Sequence, residues 1–292
     1  MGSAGLRALL RADAMVIAPG AYDGLTAKLI EQAGFAAVYM TGAGTSVSLG
    51  YPDFGLLTMS EMVDNAARIV RAVDVPVIAD ADTGYGSELN VFRTVREYEQ
   101  RGVAAIHIED QVSPKKCGHL DDKEIVPRDD YVAKIRAAVA AKRSADFMII
   151  ARTDARAVAG LDEALARANE ALAAGADMAF VEAPQTMEEL AAIPRHVAGP
   201  CLLNVVRGGK TPEIDLREAQ GMGYRLAIVP GLLLTAVIGA CDEVLAQLQA
   251  ARVHPVPRAD MTVREAFDRV GAREWDTLRT RFRDGTVRRA AE

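Results

Sequence analysis

The stretch Tyr98-Glu99-Gln100-Arg101-Gly102-Val103-Ala104-Ala105-Ile106-His107-Ile108 joins a segment of helical composition to a short apolar run through a single glycine. Glycine just past a helix end adopts the left-handed conformation that terminates the helix. A short apolar run that follows at once is typical of a buried parallel strand. The same order recurs before residues 35–40, 176–181 and 224–229. The repeat therefore predicts helices that alternate with parallel strands.

Eight apolar runs of this kind lie along the chain, at residues 16–18, 37–40, 75–79, 104–108, 147–151, 178–181, 201–203 and 226–229. Segments of helical composition separate them, at residues 22–33, 59–73, 89–101, 128–142, 161–174, 187–193 and 215–220. Strands that alternate with helices imply a parallel sheet, and eight of them favour a closed (β/α)8 barrel over an open sheet. No Gly-x-Gly-x-x-Gly follows the first run, so a dinucleotide-binding fold has no support. We predict an α/β protein with a TIM barrel.

The residues after the eighth run depart from this pattern. A helical segment at 232–251 is followed by no strand, and residues 262–284 again have helical composition, with Trp275 and Phe282 as expected packing anchors. We predict a barrel domain over residues 1–251 and a helical tail over residues 252–292. The tail packs either on its own barrel or on a neighbouring subunit, and we expect a homo-oligomer, a dimer or a tetramer.

Composition excludes several classes of partner. The 292 residues are 50% hydrophobic and 25% charged, with a net charge of −6 and a pI of about 5.4. This balance offers no basic surface to nucleic acid or to an anionic membrane. The longest apolar stretch, 226–240, contains Pro230 and Gly231 and is too short to span a bilayer. Three widely spaced cysteines and the lack of a secretory leader predict a cytoplasmic protein.

Polar side chains close six of the eight apolar runs. They are Thr41, the pair Asp80 and Asp82, the pair Glu109 and Asp110, the pair Arg152 and Asp154, Glu182, and Asn204. The carboxyl ends of barrel strands meet at one mouth, where functional residues lie. Capping of helix N-termini explains one or two such residues but hardly six. The sequence therefore predicts a small-molecule site at this mouth.

Asp80, Asp82 and Glu109 are candidate metal ligands. Asp80 and Asp82 are two residues apart, so on an extended strand their side chains share a face. Paired carboxylates are costly at a barrel mouth unless a cation holds them together. Carboxylate oxygens suit Mg²⁺ or Mn²⁺, and Mg²⁺ commonly keeps several waters. The alternative is that Asp82 caps the amides of the loop at residues 84–86.

Residues 111–126 form a long polar loop after the fourth run, typical of a lid. It contains Lys115-Lys116-Cys117-Gly118-His119. A thiol beside two lysines and a histidine is expected to have a lowered pKa and raised reactivity. Cys201 and Cys241 lie in apolar runs and are predicted to be buried packing residues. His107 is either a partner of the site residues or a core histidine.

At this point the motifs resemble those of the isocitrate lyase/phosphoenolpyruvate mutase superfamily over nearly the whole chain. The matching pieces are Pro19-Gly20-Ala21-Tyr22-Asp23, Met40-Thr41-Gly42, Gly50-Tyr51-Pro52-Asp53-Phe54-Gly55, Asp80-Ala81-Asp82-Thr83-Gly84-Tyr85-Gly86, Glu109-Asp110-Gln111, Lys115-Lys116-Cys117-Gly118-His119, Ala151-Arg152-Thr153-Asp154-Ala155, Glu182-Ala183-Pro184 and Gly208-Gly209-Lys210-Thr211-Pro212. The cysteine loop is similar to that of the lyase branch, which includes lyases of 2-methylisocitrate and 2,3-dimethylmalate type.

The resemblance implies a Mg²⁺-dependent lyase that cleaves a small 2-hydroxy di- or tricarboxylate to pyruvate or glyoxylate and a second carboxylate. It implies metal binding through Asp80, Asp82 and Glu109, a carboxylate clamp by Arg152, and protonation of an enolate-like intermediate by Cys117. The remaining candidate catalytic residues are Tyr39, Lys116 and His119. The remaining candidate substrate contacts are Thr41, Gly42, Ala43, Asp53, Glu182, Asn204 and Arg207.

Arg207 departs from the family pattern, since the related lyases usually carry an acidic residue there. A cation in place of an anion beside the substrate would favour an additional carboxylate or alter the base network. Three other functions stay open. They are phosphorylmutase chemistry of the carboxyphosphonoenolpyruvate type, hydrolysis or decarboxylation of oxaloacetate, and ligand binding without catalysis. The cysteine loop favours the lyase, and the complete set of site residues speaks against a binding protein.

Overall fold

The computed structural model describes residues 2–257 and 259–283. Its strands are β1 Val16–Ala21, β2 Val38–Met40, β3 Val77–Asp80, β4 Ala105–Glu109, β5 Met148–Thr153, β6 Met178–Val181, β7 Cys201–Asn204 and β8 Tyr224–Val229. Each strand pairs in parallel with the next, and β1 pairs with β8 to close the ring. The predicted TIM barrel with additional C-terminal helices is confirmed.

Several strands extend further at their carboxyl ends than predicted. The polar residues Asp80, Glu109, Thr153 and Asn204 are the last residues of their strands. The backbone ladder reaches them, and Glu109 lies in register with Arg152 of the neighbouring strand. Because strand backbone rather than loop carries these side chains, the rigid barrel fixes their positions.

The helices are α1 Gly2–Arg11, α2 Gly24–Gln32, α3 Gly42–Ser48, α4 Met59–Ala72, α5 Glu88–Gln100, α6 Arg128–Ala141, α7 Ala155–Ala159, α8 Leu161–Ala173, α9 Met187–His196, α10 Leu216–Met222, α11 Leu232–Ala251, α12 Val263–Asp268 and α13 Ala272–Arg283. Three of them, α1, α3 and α7, were not predicted. The glycine-rich α3 lacks helical composition, but the Thr41 hydroxyl accepts from the amide of Gly44 and starts the helix.

Apolar side chains fill the barrel interior below the mouth. Tyr39, Ile78, Ile150 and Phe180 belong to one buried cluster, which Leu6 of α1 joins. Burial of apolar surface stabilises this layer by about 25 cal/mol per Å². The polar side chains of the cavity lie above this apolar layer, at the carboxyl-terminal mouth.

The chain divides into two compact units, Met1–Val237 and Ile238–Glu292. The division falls inside α11, before the predicted boundary at residue 251, and residues 284–292 of the predicted tail lie outside the described part. No residue of α11 is buried among the described residues, and Cys241 is exposed. The prediction of a buried Cys241 was therefore wrong, whereas Cys201 is buried as predicted. Trp275 and Phe282 are likewise exposed instead of packed within the chain.

By length and composition alone, α11 is able to cross a membrane, with a mean hydropathy of 1.4 over the tested window. Pro230 and Gly231 precede the first residue of α11, so they do not interrupt this helix and, contrary to the prediction, do not exclude a span.

Candidate active site

A small cavity of about 110 Å³ opens at the carboxyl-terminal mouth of the barrel. Its lining comes from the ends of several strands and from the lid segment (residues 111–126). The lining residues are Tyr39, Thr41, Ala43, Asp53, Asp80, Cys117, Gly118, His119, Arg152, Glu182, Asn204, Val206, Pro230, Gly231 and Leu234. The structure thus brings together most of the residues that the sequence indicated.

Arg152 lies at the centre of this site. Its Nε atom is 2.9 Å from Asp154 Oδ2 and 3.2 Å from Glu109 Oε2, and its Nη2 atom is 3.3 Å from Glu182 Oε1. Burial would lower the pKa of the guanidinium, but these carboxylates raise it well above its ordinary value. Arg152 therefore stays charged in a buried position, where it attracts an anionic substrate strongly.

Asp80 and Asp82 adopt a geometry that the strand argument did not foresee. The strand β3 ends at Asp80, and Asp82 has a φ of 46°. The amide of Asp82 donates to Asp80 Oδ1 at 2.9 Å. Asp82 therefore lies in a turn just past β3 and not on the strand, because a backbone in the left-handed region cannot continue the strand.

The pKa values of the acidic residues are shifted in opposite directions. Burial raises the pKa of Asp80, but the basic groups around it, chiefly His107, Lys115 and Arg152, bring it down to about 2. Burial raises the pKa of Asp82 to about 6, with Asp80 and Asp53 adding to the effect against Lys115. Burial also raises the pKa of Glu109 well above its ordinary value. The cluster carries more acidic groups than its own cations stabilise.

The donor atoms suit a hard divalent cation. Both oxygens of Glu109, and Oδ1 of Asp82, are buried and accept no well-aligned hydrogen bond among the described residues, although Arg152 lies 3.2 Å from Glu109 Oε2 and Lys115 lies 3.0 Å from Asp82 Oδ1. Unsatisfied buried acceptors are costly unless a further ligand or ion meets them. Within the described ranges, no three acidic, histidine or cysteine side chains are grouped tightly enough to hold a metal by themselves. A cation that keeps much of its water shell is consistent with both observations.

Tyr39 and His107 form a buried pair beside Asp80. The Tyr39 hydroxyl lies 2.8 Å from His107 Nε2 and donates to Asp80 Oδ2 at 3.4 Å. Burial raises the pKa of Tyr39 well above 10 and lowers that of His107 to about 4. Tyr39 is therefore a protonated hydroxyl and His107 a neutral imidazole at neutral pH. His107 is at once a core residue, stacked on Tyr39, and a contact of the acidic cluster.

The two adjacent lysines of the lid point to different places. Lys115 is buried, with Nζ 2.5 Å from Asp53 Oδ1 and 3.0 Å from Asp82 Oδ1. Lys116, the candidate chosen from the sequence, instead donates to the carbonyl of Asp122 at 3.2 Å and does not line the cavity. The sequence does not distinguish Lys115 from Lys116, because the two lysines are adjacent and only the fold decides which one faces inward.

Cys117 lines the cavity, but its pKa is shifted in the direction opposite to the prediction. Burial raises the pKa of the thiol above its usual value, and a hydrogen bond from the His119 backbone only partly offsets this effect. The expected lowering fails because the ammonium groups of Lys115 and Lys116 bind oxygens elsewhere. A thiol that stays protonated is suited to donate a proton.

His119, Glu182 and Asn204 form the opposite wall. The amide of Asn204 donates to both Glu182 oxygens at 3.1 Å. The Nδ1 atom of His119 accepts from the backbone of Lys210 at 3.0 Å, and burial lowers the His119 pKa. The side-chain oxygen Oδ1 of Asn204 is buried with no hydrogen-bond partner among the described residues. It is available to accept a hydrogen bond from a substrate hydroxyl.

The remaining candidate substrate contacts fall into two groups. Thr41, Ala43 and Asp53 line the cavity, while Gly42 packs against the Asp80 carboxylate so closely that any Cβ atom would overlap it. Arg207 is not brought to the cavity, since its side chain is 97% exposed and lies 3.9 Å from the exposed Glu213. A charge in that solvated position has little influence on the buried site. The structure therefore gives no support to a change of substrate by Arg207.

Sequence patterns missed two parts of the site. Lys115 and the buried Lys123 have polar partners in the barrel, a fact that no local pattern reveals. The cavity wall of Val206, Pro230 and Leu234 follows β7 and β8, where only apolar residues stand. These residues were not predicted because the prediction considered only polar side chains at strand ends.

Comparison with known proteins identifies the family of this chain. The family described as phosphoenolpyruvate phosphomutase matches residues 6–249. The 2,3-dimethylmalate lyase of Eubacterium barkeri is 52% identical over 250 residues, 85% of each chain. The 2-methylisocitrate lyase of Aeropyrum pernix is 43% identical over 288 residues, 98% of this chain and 91% of that one.

Solved structures show the same fold at this level of identity. A crystal structure of 2,3-dimethylmalate lyase, described as a PEP mutase/isocitrate lyase superfamily member, has a TM-score of 0.90 at 42% identity and covers 94% of this chain and 93% of its own. Oxaloacetate acetylhydrolase with 3,3-difluorooxalacetate has a TM-score of 0.92 at 40% identity, with 97% of both chains covered. Phosphonopyruvate hydrolase with oxalate and Mg²⁺ has a TM-score of 0.87 at 31% identity, with 96% and 98% covered. The chain therefore belongs to the phosphoenolpyruvate phosphomutase family of the PEP mutase/isocitrate lyase superfamily, and it is a carbon–carbon lyase of that superfamily.

Proposed function

We propose that this lyase cleaves a small 2-hydroxy di- or tricarboxylate of the 2,3-dimethylmalate or 2-methylisocitrate type. The products are an α-oxo acid, pyruvate or glyoxylate, and a second carboxylate. One observation carries the proposal. A buried, charged Arg152 and a protonated Cys117 thiol line the same small cavity.

Each residue has a distinct part in the proposed reaction. Arg152 binds a substrate carboxylate and stabilises the charge that develops there. A base in the cavity takes the 2-hydroxyl proton, and the oxygen forms the carbonyl of the α-oxo acid as the adjacent carbon–carbon bond breaks. The electron pair of that bond moves onto the departing fragment as an enolate-like carboxylate. Cys117 donates its proton to the carbanion carbon of that fragment. The lid excludes water from this intermediate, which solvent would otherwise protonate.

We further propose Mg²⁺ as the cofactor, with Mn²⁺ as the alternative ion. Asp80, Asp82 and Glu109 would hold it, partly through water, because carboxylate oxygens match a hard cation and those of Glu109, with Oδ1 of Asp82, accept no well-aligned hydrogen bond among the described residues. A bound Mg²⁺ polarises the oxygens of an α-oxo acid as a Lewis acid. The complex of the similar phosphonopyruvate hydrolase with oxalate and Mg²⁺ supports this choice.

The apolar wall supports an alkyl-substituted substrate. Val206, Pro230 and Leu234 line the cavity that also holds the polar cluster. Each methyl group buried there stabilises binding by about 0.8 kcal/mol. An unsubstituted substrate would leave this surface uncovered.

Cleavage of oxaloacetate is the second candidate function. The similarity to oxaloacetate acetylhydrolase, with a TM-score of 0.92, favours it. Both reactions pass through an enolate-like fragment and need the same acidic cluster. The protonated thiol and the apolar wall favour the substituted hydroxy acid.

A substrate panel with Mg²⁺ tests the proposed activity. The panel contains 2,3-dimethylmalate, 2-methylisocitrate, isocitrate, other 2-alkylmalates and oxaloacetate. A coupled assay with NADH records release of pyruvate or glyoxylate from the hydroxy acids, and a separate assay records release of oxalate from oxaloacetate. We expect the highest kcat/KM with an alkyl-substituted member, and loss of that activity after EDTA treatment with recovery on adding Mg²⁺. Release from none of the hydroxy acids contradicts the lyase proposal, and full activity in EDTA contradicts the metal.

We also propose that the chain works as a cytoplasmic homo-oligomer, a dimer or a tetramer. The exposed apolar surface of α11, together with Trp275 and Phe282, supports a protein contact. Light scattering over a dilution series is expected to show a mass of at least twice 31.2 kDa. A monomer at every concentration tested contradicts this proposal.

A further inference from the structure

The lid is attached on both sides of Cys117. On the amino side, the Gln111 amide accepts from the Lys116 backbone at 3.0 Å and donates to its carbonyl at 2.8 Å. On the carboxyl side, the ammonium of Lys123 donates to the carbonyl of Gly118. We propose that Lys123 is a positioning residue that seats the Cys117–Gly118 peptide against the cavity. This inference rests on the proposed role of Cys117 as proton donor.

The burial of Lys123 supports a specific attachment. Its side chain is 1% exposed, and its Nζ atom lies 2.7 Å from Oδ1 of the fully buried Asp154. A lysine ammonium is strongly hydrated, so burial is unfavourable unless carboxylate and carbonyl partners replace the water. Asp154 directly follows β5 of the barrel. Lys123 therefore connects the lid to the rigid frame that carries Arg152.

Asp154 shares its two oxygens between the lid and the anion clamp. Lys123 donates to Oδ1, which also accepts from Arg152 Nη2 at 3.3 Å, while Arg152 Nε donates to Oδ2 at 2.9 Å. Burial raises the Asp154 pKa, but Arg152 and Lys123 lower it to about 2. Both cations therefore face a carboxylate that is ionised at neutral pH. Without Lys123, the Gly118 carbonyl loses its donor and Asp154 is left to Arg152 alone.

The contact of Gly118 with the clamp makes the seating of this peptide critical. A Cβ atom at Gly118 would overlap the Glu182 carboxylate and the Arg152 guanidinium, so the backbone lies directly against both groups. A small displacement of the lid therefore moves the thiol relative to the bound substrate. Misplacement of a reacting group by about 1 Å costs on the order of 10²-fold in rate.

Lys123→Met, which removes the charge and keeps the apolar stem, tests the inference. We expect kcat to fall on the order of 10²-fold with a smaller change in KM. We also expect iodoacetamide to alkylate Cys117 about tenfold faster, because local opening exposes the half-buried thiol. Mass spectrometry of the Cys117 peptide measures alkylation without substrate. Lys123→Gln, which keeps a donor, should give intermediate values for both.

Lys142→Met is the matched control, because it breaks a lysine–aspartate pair of similar length away from the lid, with Nζ 3.1 Å from Asp177 Oδ2. We expect it to leave kcat and Cys117 alkylation unchanged. The inference is overturned if Cys117 is alkylated equally faster in Lys123→Met and in Lys142→Met. It is also overturned if Lys123→Met unfolds cooperatively but its Cys117 is alkylated at the wild-type rate. If Lys123→Met does not fold, Lys123→Gln carries the same comparison. Alkylation is independent of the reaction, so a substrate panel without turnover contradicts the proposed function and leaves this test intact.

Discussion

Cys117→Ser is expected to lower kcat for carbon–carbon cleavage by about 10²–10⁴-fold, the range typical of a lost general acid. Serine preserves the size of the side chain, but its hydroxyl is a much weaker acid than a thiol. Binding of an α-oxo acid product should change little, because Arg152 and the acidic cluster stay in place. Steady-state kinetics and product titration separate the two effects. Cys241→Ser, at an exposed position, is the control and should retain full activity.

The pH profile of the wild-type protein tests the same assignment. A proton donor is active in its protonated form, and burial raises the pKa of the Cys117 thiol above its usual value. Cleavage should therefore persist through mildly alkaline pH and decline only as the thiol ionises. A profile that requires an ionised thiol, with activity rising through this range, is incompatible with Cys117 as the donor. Full activity in Cys117→Ser would also discard the assignment.

Arg152→Met is expected to lower kcat/KM by about 10³-fold, because it removes the cation that stabilises developing charge. It should also destabilise the fold by about 3–5 kcal/mol, since Glu109, Asp154 and Glu182 lose their buried counter-ion. Urea unfolding and steady-state kinetics measure these two effects. Arg156→Met, which breaks a partly exposed pair with Glu189, should cost about 1 kcal/mol or less.

The destabilisation by Arg152→Met should depend on pH in a defined direction. In the wild-type protein the Asp154 pKa is lowered to about 2, so its stabilising effect is present at neutral pH and lost in acid. In the variant, the uncompensated carboxylates have raised pKa values, and their repulsion disappears as they become protonated. The difference in unfolding free energy should therefore narrow from pH 7 toward pH 4. A difference independent of pH would contradict the proposed charge balance.

The barrel was predictable because its signals are local and repeated. Gly102 and Gly175 end helices in the left-handed conformation, and an apolar strand follows each one. The strand-end rule then placed Asp80, Glu109, Arg152, Glu182 and Asn204 at one mouth without any knowledge of side-chain contacts. Closure of the ring brings such residues together whatever their separation in the sequence.

The details that failed depend on contacts across the fold. The direction of the Cys117 pKa shift required knowing that Lys115 binds Asp53 and Asp82. The same contacts show that Lys115, and not Lys116, faces the acidic cluster. The family pattern placed Arg207 beside the substrate, whereas its side chain lies in solvent in this structure. The apolar character of α11 suggested a buried Cys241, but composition does not reveal whether a partner surface lies within the same chain.

The closed barrel places the residues proposed to break the bond and the apolar wall of the cavity on different strands. The acidic cluster, Arg152 and the thiol lie at or just after the carboxyl ends of β3, β4 and β5, whereas the apolar wall follows β7 and β8. Val206 and Leu234 stand outside the strands, so changes there leave the backbone ladder intact. If the substrate is the alkyl-substituted hydroxy acid proposed above, single substitutions in this wall would change the preference among alkyl groups without altering Arg152 or Cys117.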